Sequence, residues 1–537
     1  MKKFFQAAAV LTAAAMLAGC SGNAGNKQSG TETSFEFGKD PLKFSLYMNY
    51  DYMAAKPWAQ GSPIEEWIRD NKKVEIEYMD PGGAASQRMV TMIASNSLPD
   101  CIMMENNQDL QKMISSNLLV PLDDYMEKYP YTKNDLGEGI LNLIESEDGK
   151  TYQIPNWANS VGNPNGNSGW VINTKVYEEL GSPKLETFED LYQYLQAVKN
   201  KYGDMIPVMT NTNLYLLDII MQGYQDGMSY PLNFKEVMLG YPKDGKFASV
   251  FESEAYRQAI LYVNRLFREG LLSKDTFTQT DDQIKEKLRN GRVAVFTGDC
   301  NTINGTREDM LRQGSDWKYI FPIRKEGKPV EETKIESFDM LGSSCFVISR
   351  NAKNPEGIYA YLDWLYSPEG QATYFYGPTG MHWDTLNEQG YPEFKPEFFE
   401  TPFPVLRKEM LGNGMGSPLG NTSWVDGCAK YVYEQTPEEN RDWVKTQQYN
   451  VIWKTSENRT EFRNVVPPLS TEAGVNYQTI VDSYKEVVAK MVFASDSNEV
   501  TALLDEFIAE TKENGIDEIL EIMTQNWENN KKLLSNE

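Results

Sequence analysis

The sequence predicts an α/β protein of two lobes with a helical C-terminal region, and three observations carry that reading. Apolar strand-like runs alternate with amphipathic helical runs from residue 42 onward, the order that builds parallel βαβ units. The chain has 537 residues, ample for two lobes with substantial cores. Its last third carries helical stripes.

The first segment precedes the fold. Lys2 and Lys3 are followed by an apolar run from Phe4 to Leu17 and by the small residues Ala18 and Gly19. That layout predicts a signal peptide over 1–19, too short to span a membrane as a helix. Leu17-Ala18-Gly19-Cys20 resembles a bacterial lipobox, which implies cleavage before Cys20 and lipidation of its thiol. More than one acyl chain gives stable anchoring, because each buried methylene contributes about 0.8 kcal/mol. Residues 20–39 are rich in Ser, Gly, Thr and Asn and read as a flexible tether spanning roughly 25 Å.

"LKFSLYMNYDY" (42–52) alternates like a strand. "SPIEEWIRDN" follows as a helix, with Ser62 as N-cap and Pro63 at the first position. "VEIEYMD" (74–80) is a second strand. "AASQRMVTMIASN" (84–96) is helical, with Met89, Met92 and Ile93 on one face. "LPDCIMM" (98–104) is a buried third strand, so this segment predicts a parallel sheet with right-handed crossovers. Further on, Thr187 caps "FEDLYQYLQAVKN", with Asp190 at the third position and Leu191, Tyr194, Leu195 and Val198 at helical spacing. Asn354 and Pro355 open another helix. Ile480, Tyr484, Val487, Val488 and Met491 stripe a helix near the end, and the next one stops at Asn514-Gly515. Trp67, Trp364 and Trp527 lie within helical patterns and read as packing residues.

Composition excludes several functions. The formal charge of −25 leaves no basic footprint for nucleic acid. Cys101, Cys300, Cys345 and Cys428 are widely spaced in apolar or small-residue settings, which predicts buried free thiols rather than a disulfide framework. With His382 as the only histidine, no multi-histidine metal site can form. No GxSxG, Walker or HExxH motif is present, and "GNGMGSPLGNTSW" (412–424) lacks the end of a phosphate loop and reads as an ordered surface loop. No cofactor and no metal is expected. A paired-carboxylate glycosidase stays open as an alternative, since acidic residues are abundant.

"SNSLPDCIMMENN", "NLLVPLDDYMEKYP" and "DGKTYQIPNW", followed in order by "GWVINTKVYEELGSPKLETFEDLYQYLQAVKN", "LRNGRVAVFTGD" and "NPEGIYAYLDWLYSPEGQATYFYGPTGMHWD", span nearly all of the chain after the signal. Together they resemble extracellular solute-binding proteins of family 1, the oligosaccharide-binding lipoproteins of Gram-positive ABC importers, distantly similar to maltose-binding protein. The resemblance implies a type II periplasmic-binding-protein-like fold, each lobe a mostly parallel sheet flanked by helices and joined by a hinge. It implies a discontinuous N-terminal lobe (40–168 and 345–405) and a discontinuous C-terminal lobe (169–344 and 406–537). The first crossing is expected near Trp170–Thr174 and a return near Cys345–Arg350. It further implies a monomer that carries its ligand to permease subunits on the outer face of the cell membrane. A sugar sensor and a binder of peptides or other solutes are alternative roles for the same fold.

Ligands of open α/β sheets sit outside the carboxyl ends of strands. That rule selects Asn49, Asp51 and Tyr52, with Trp58 shortly after; Glu105, Asn106 and Asn107; Asn211, Asn213 and Tyr215; and Asp299 and Asn301. Asn156 and Trp157, His382 and Trp383 beside Asp384, and Trp424 join them from loop-like settings. Aromatic rings can cover the apolar faces of a pyranose, while carboxylates and amides bond its hydroxyl rim. The acidic chain favours a neutral ligand, and a long cleft with several rings suits more than one sugar unit.

Overall fold

The computed structural model describes residues 35–51, 53–212, 214–226, 239–342, 344–415 and 419–535. The expected signal peptide, Cys20, most of the expected tether, Tyr52 and Asn213 lie outside the described residues.

The chain opens with β1 (Leu42–Met48), β2 (Val74–Met79), β3 (Cys101–Met104) and β4 (Ile154–Asn156). Next come β5 (Ser168–Asn173), β6 (Ile206–Thr210), β7 (Gly240–Lys243), β8 (Lys246–Ser249), β9 (Val293–Asp299) and β10 (Trp317–Ile320). The last are β11 (Glu336–Phe338), β12 (Ser344–Ile348), β13 (Trp383–Leu386), β14 (Pro392–Phe394) and β15 (Ser456–Asn458). Two main sheets form, one in the order β2-β1-β3-β12-β4 and the other β10-β5-β9-β6.

Both sheets are mixed, each with one strand running against the rest. β1 runs parallel to β2 and β3, but β12 is antiparallel to β3 and β4. In the second sheet β6 is parallel to β9, and β5 is antiparallel to β9 and β10. The reason lies in the crossings. β5 and β12 each arrive from the other lobe at the edge where the parallel strands end, so each must run away from that edge.

Alternation along β1 divides the first lobe's core. Leu42, Phe44 and Leu46 pack with Ile358, Tyr361 and Leu362 on one face, while Tyr47 packs with Met89, Met92 and Ile93 on the other. The second sheet is likewise buried on both faces. Trp170, Ile172, Val208 and Val295 meet the helices Glu254–Arg268 and Glu472–Phe493, and Val171, Met209 and Phe296 meet Cys300–Arg312. The expected caps form: Ser62, Thr187 and Asn354 each accept a backbone N–H of the first helical turn, and Thr187 with Asp190 completes a capping box. All four described cysteines are buried and free.

The chain passes between the lobes three times. The first passage is 157–167, earlier than expected, because Trp170 is fully buried in the second core. The second is 336–342, ahead of β12. The third falls after Cys428, because Leu406, Met410, Leu419, Trp424 and Cys428 all belong to the first core and Val444 belongs to the second. The boundary is expected between 405 and 406; these packing partners favour the stretch between 428 and 444. "GNTSW" is not a surface loop either: Asn421, Thr422 and Trp424 are buried at the start of the helix Thr422–Gln435. The C-terminal helix Ile516–Leu534 packs on the second lobe and also touches Tyr131–Ile144 of the first. No helix of the described residues is long and apolar enough to cross a membrane.

Candidate functional site

The strand register brings the predicted site residues onto two edges. Met104 pairs with Cys345 and Ser344 with Asn156, so the carboxyl ends of β1, β3 and β4 share one edge with the start of β12. Ser168 pairs with Asp299 and Thr210 with Thr297, so the ends of β6 and β9 share an edge with the start of β5. The first passage joins these two edges directly, running from the end of β4 to the start of β5.

On the first edge, Asn49 fixes its backbone by donating to Met103 O at 2.9 Å. Its side-chain Oδ1 is buried without a hydrogen-bond partner among the described residues. Asp51 is exposed and accepts the Ala85 N–H at 2.8 Å. Glu105 and Asn106 are half-buried, while Asn107 is exposed and caps the helix Gln108–Ser115. Asn156 is buried and committed: it donates to Ser344 Oγ at 2.9 Å and accepts the Gly420 N–H at 2.8 Å.

Trp157 is the unusual residue of this edge. Its φ is 63°, the left-handed region that a bulky side chain rarely occupies. The surroundings enforce that conformation. Its N–H donates to Gly420 O at 2.7 Å, and its carbonyl accepts the Thr422 hydroxyl at 2.7 Å. Gly342 and Gly420 leave room: a Cβ on Gly342 would lie 2.1 Å from Asn156 O, and one on Gly420 would meet the indole at 2.4 Å. The half-buried ring stands edge-on to Phe375, with centroids 5.7 Å apart.

The second edge is polar and partly committed. Asp299 caps the helix Cys300–Arg312 by accepting the N–H groups of Asn301 and Thr302 at 2.8 and 2.9 Å. Burial pushes its carboxyl above the usual range, against the pull of those two donors. Asn301 is exposed, and Asn211 is half-buried with its Oδ1 accepting the Tyr215 N–H at 3.1 Å. Tyr215 itself is core, its hydroxyl donating to Ile335 O at 2.9 Å. Phe321, just past β10, is 41% exposed beside this edge, and Val161 on the first passage is 62% exposed.

The other aromatic candidates are placed elsewhere. Trp58 lies along β2, its indole donating to Val74 O at 3.1 Å, at the end of the strand remote from the edge. Trp383 is 3% exposed and donates to Gly377 O, and Trp424 is 8% exposed and donates to Gly390 O. Both are packed inside the first core. His382 belongs to the turn before β13, half-buried against Phe398, and burial lowers its pKa.

Sequence reasoning missed the groups that hold the passages together. Glu336 accepts the N–H groups of Asn167, Ser168 and Ser337, tying the second passage to the first, and burial raises its pKa. Asp426 of the first lobe is paired at 3.0 Å with Lys445 of the second and also accepts from Asn165 at 2.8 Å. Arg463 reaches Asp339 at 3.0 Å. The Trp453 indole donates to Gly166 O at 3.1 Å, and Lys445 lies 5.1 Å from its ring. Only the helix start "NTSW" carried a local signal for any of these. Among the described residues, no group of three or more His, Cys, Asp or Glu is placed to hold a metal ion.

Two α/β lobes, three chain passages between them and polar strand edges joined by the first passage define the class of two-lobed solute-binding proteins. The chain belongs to the bacterial extracellular solute-binding protein family, whose family model matches residues 69–381. It is 24% identical over 393 residues to the fructooligosaccharide ABC transporter substrate-binding protein FusA of Streptococcus pneumoniae, covering 68% of this chain and 69% of the relative. It is 22% identical over 517 residues to the polygalacturonan/rhamnogalacturonan-binding protein YtcQ of Bacillus subtilis, covering 91% and 93%. Among solved structures it is similar to an HMO-binding, ABC-transporter-associated solute-binding protein from Bifidobacterium longum infantis. That match has a TM-score of 0.64 at 17% identity and covers 91% of this chain and 99% of the other.

Proposed function

We propose that this protein captures an oligosaccharide between its lobes and delivers it, chemically unchanged, to the permease of an ABC importer. Similarity to FusA and YtcQ supports the ligand class, and similarity to FusA the transport role. The observation that carries the reading is Trp157. A bulky residue held in the left-handed region stores strain of order 1–3 kcal/mol, and such strain clusters at binding sites. Here it holds an indole on the same strand-end edge of the first sheet as Glu105, Asn106 and the open acceptor of Asn49, at the start of the passage to the second lobe. A flat apolar surface next to hydroxyl-bonding groups matches the two kinds of surface on a pyranose. Phe321 offers a second ring from the opposite lobe.

In this reading Asn49, Asp51, Glu105, Asn106, Asn107, Trp157, Asn211, Asp299 and Asn301 border the ligand. Asn156 positions Trp157. The protein acts as a monomer, tethered outside the cell membrane through lipidated Cys20. Melting-temperature shifts across a panel of oligosaccharides test the proposal, with product analysis of every ligand that binds. A stabilising saccharide recovered intact supports it. Shortened products, or no shift with any saccharide, would overturn it.

A further inference from the structure

The charges along the two edges carry the proposal a step further, to the class of sugar. Each acidic ring of a uronate oligosaccharide brings a carboxylate, and burying that carboxylate calls for a cation or an array of free donors. A neutral ring calls instead for acceptors along its hydroxyl rim. The titratable side chains at the strand ends are acidic: Asp51, Asp80 and Glu105 on the first edge, and Asp299 on the second.

Most of the cations near these edges are engaged elsewhere. Arg88 donates to the Asp80 carbonyl and lies 6.0 Å from the Tyr47 ring. Along the passages, Lys445 is held by Asp426 at 3.0 Å, Arg463 by Asp339 at 3.0 Å and Arg459 by Glu457 at 3.6 Å. Lys285 and Arg289 face an open hollow of about 360 Å³ that Asn301 and Thr302 also line, and Arg289 is 3.7 Å from Asp309. The helix start at Asn301 and Thr302 is already occupied by the Asp299 carboxylate. Recruiting one of the passage cations to a ligand would leave a partly or fully buried carboxylate without its partner.

We infer that the site takes uncharged oligosaccharides and rejects uronate-containing ones, with Glu105 and Asp51 among the residues that set this choice. This rests on the oligosaccharide reading above. A carboxylate accepts strongly from neutral hydroxyls and repels another carboxylate, so the same residues supply both the grip and the discrimination.

Calorimetric titration of the protein tests this with three sets of ligands. One is a panel of neutral fructo-, gluco- and xylo-oligosaccharides of three to six rings. The others are oligogalacturonates of the same lengths and their methyl esters, in which the rings are kept and the charge is removed. The expected result is binding of a neutral ligand at least about 100-fold tighter than any oligogalacturonate, together with a preference for ester over free acid. Glu105→Gln should weaken the neutral ligand by about tenfold and narrow its margin over the acids, a change in selectivity that loss of folding would not produce. An oligogalacturonate binding as tightly as its ester would overturn the inference and leave the oligosaccharide reading standing. Binding of nothing in any set would overturn that reading and the inference with it.

Discussion

Trp157, Trp383 and Trp424 share a local signature, each lying among Gly, Asn or Pro, yet they do different things. Trp383 and Trp424 fill the first core with their indole N–H groups satisfied by backbone carbonyls. Trp157 keeps a partly open ring in a strained backbone. Trp383→Ala should therefore cost about 3–5 kcal/mol of stability, the range for emptying a core site of this size. Trp157→Ala should reduce saccharide affinity by about tenfold or more at a much smaller loss of stability, because it also relieves backbone strain. Chemical denaturation and titration of both variants separate the two effects; a Trp157 variant with normal affinity would remove it from the site. Gly420→Ala offers a control from the far side, since its Cβ would meet the indole at 2.4 Å and displace the ring without touching the ligand. These distinctions were not legible locally. What sets Trp157 apart is Gly420, Thr422 and Gly342, which lie far along the chain and bond or press on it only after folding. That Asn49, Glu105 and Asn301 follow strand ends was legible, because the strand-end rule needs only where a strand stops.

Helices with their own caps were readable one at a time. Ser62-Pro63, Thr187 to Asp190 and Asn354-Pro355 each carry the start signal within four residues, and each forms as expected. The helix Tyr131–Ile144 has no such signal, since Pro130 occupies its cap position without a side-chain bond. Its cap comes from another helix: Asp363, in Pro355–Tyr366, accepts the N–H groups of Thr132 at 2.8 Å and Tyr131 at 3.4 Å. Burial raises this carboxyl to about 6, against those donors. An unfolded Asp titrates near about 3.9, so between these values the folded protein binds the extra proton. The group's contribution is thus full below about pH 4 and is lost as pH rises through about 6, a change of roughly 2–3 kcal/mol. Asp363→Asn keeps an acceptor and does not titrate. The stability of the natural protein relative to this variant should fall by that amount between pH 4 and pH 7. Parallel pH profiles would show that Asp363 does not titrate in this window. The strand directions were also hidden, because whether a sheet is parallel or mixed depends on which strands arrive from the other lobe.

At the scale of the molecule, the ties between lobes cluster where the chain passes across. Asp426–Lys445, Asp339–Arg463 and the Glu336 contacts all lie on the passages, and the C-terminal helix touches the first lobe at Tyr131–Ile144. Groups near a hinge axis move least when the lobes rotate, so these ties can persist while the strand edges approach each other. A ligand favours the closed arrangement only through contacts it makes to both edges. Scattering should therefore show the radius of gyration falling when a binding saccharide is added. Trp157→Ala should require more ligand for the same compaction, because it loses affinity without altering the hinge. Lys445→Met is expected to act differently. It leaves the buried Asp426 carboxylate without its cation, which breaks a buried pair and lowers stability by up to about 3–5 kcal/mol. Asp426→Asn in the same chain removes the stranded charge and should recover most of that loss, with Asn165 still at hand as a hydrogen-bond partner. If the two substitutions simply add, the pair is not coupled and the passages are held by their backbone bonds alone. If the double variant regains stability and still compacts with ligand, the ion pair holds the hinge together without driving closure, which is left to the sugar bridging the two edges.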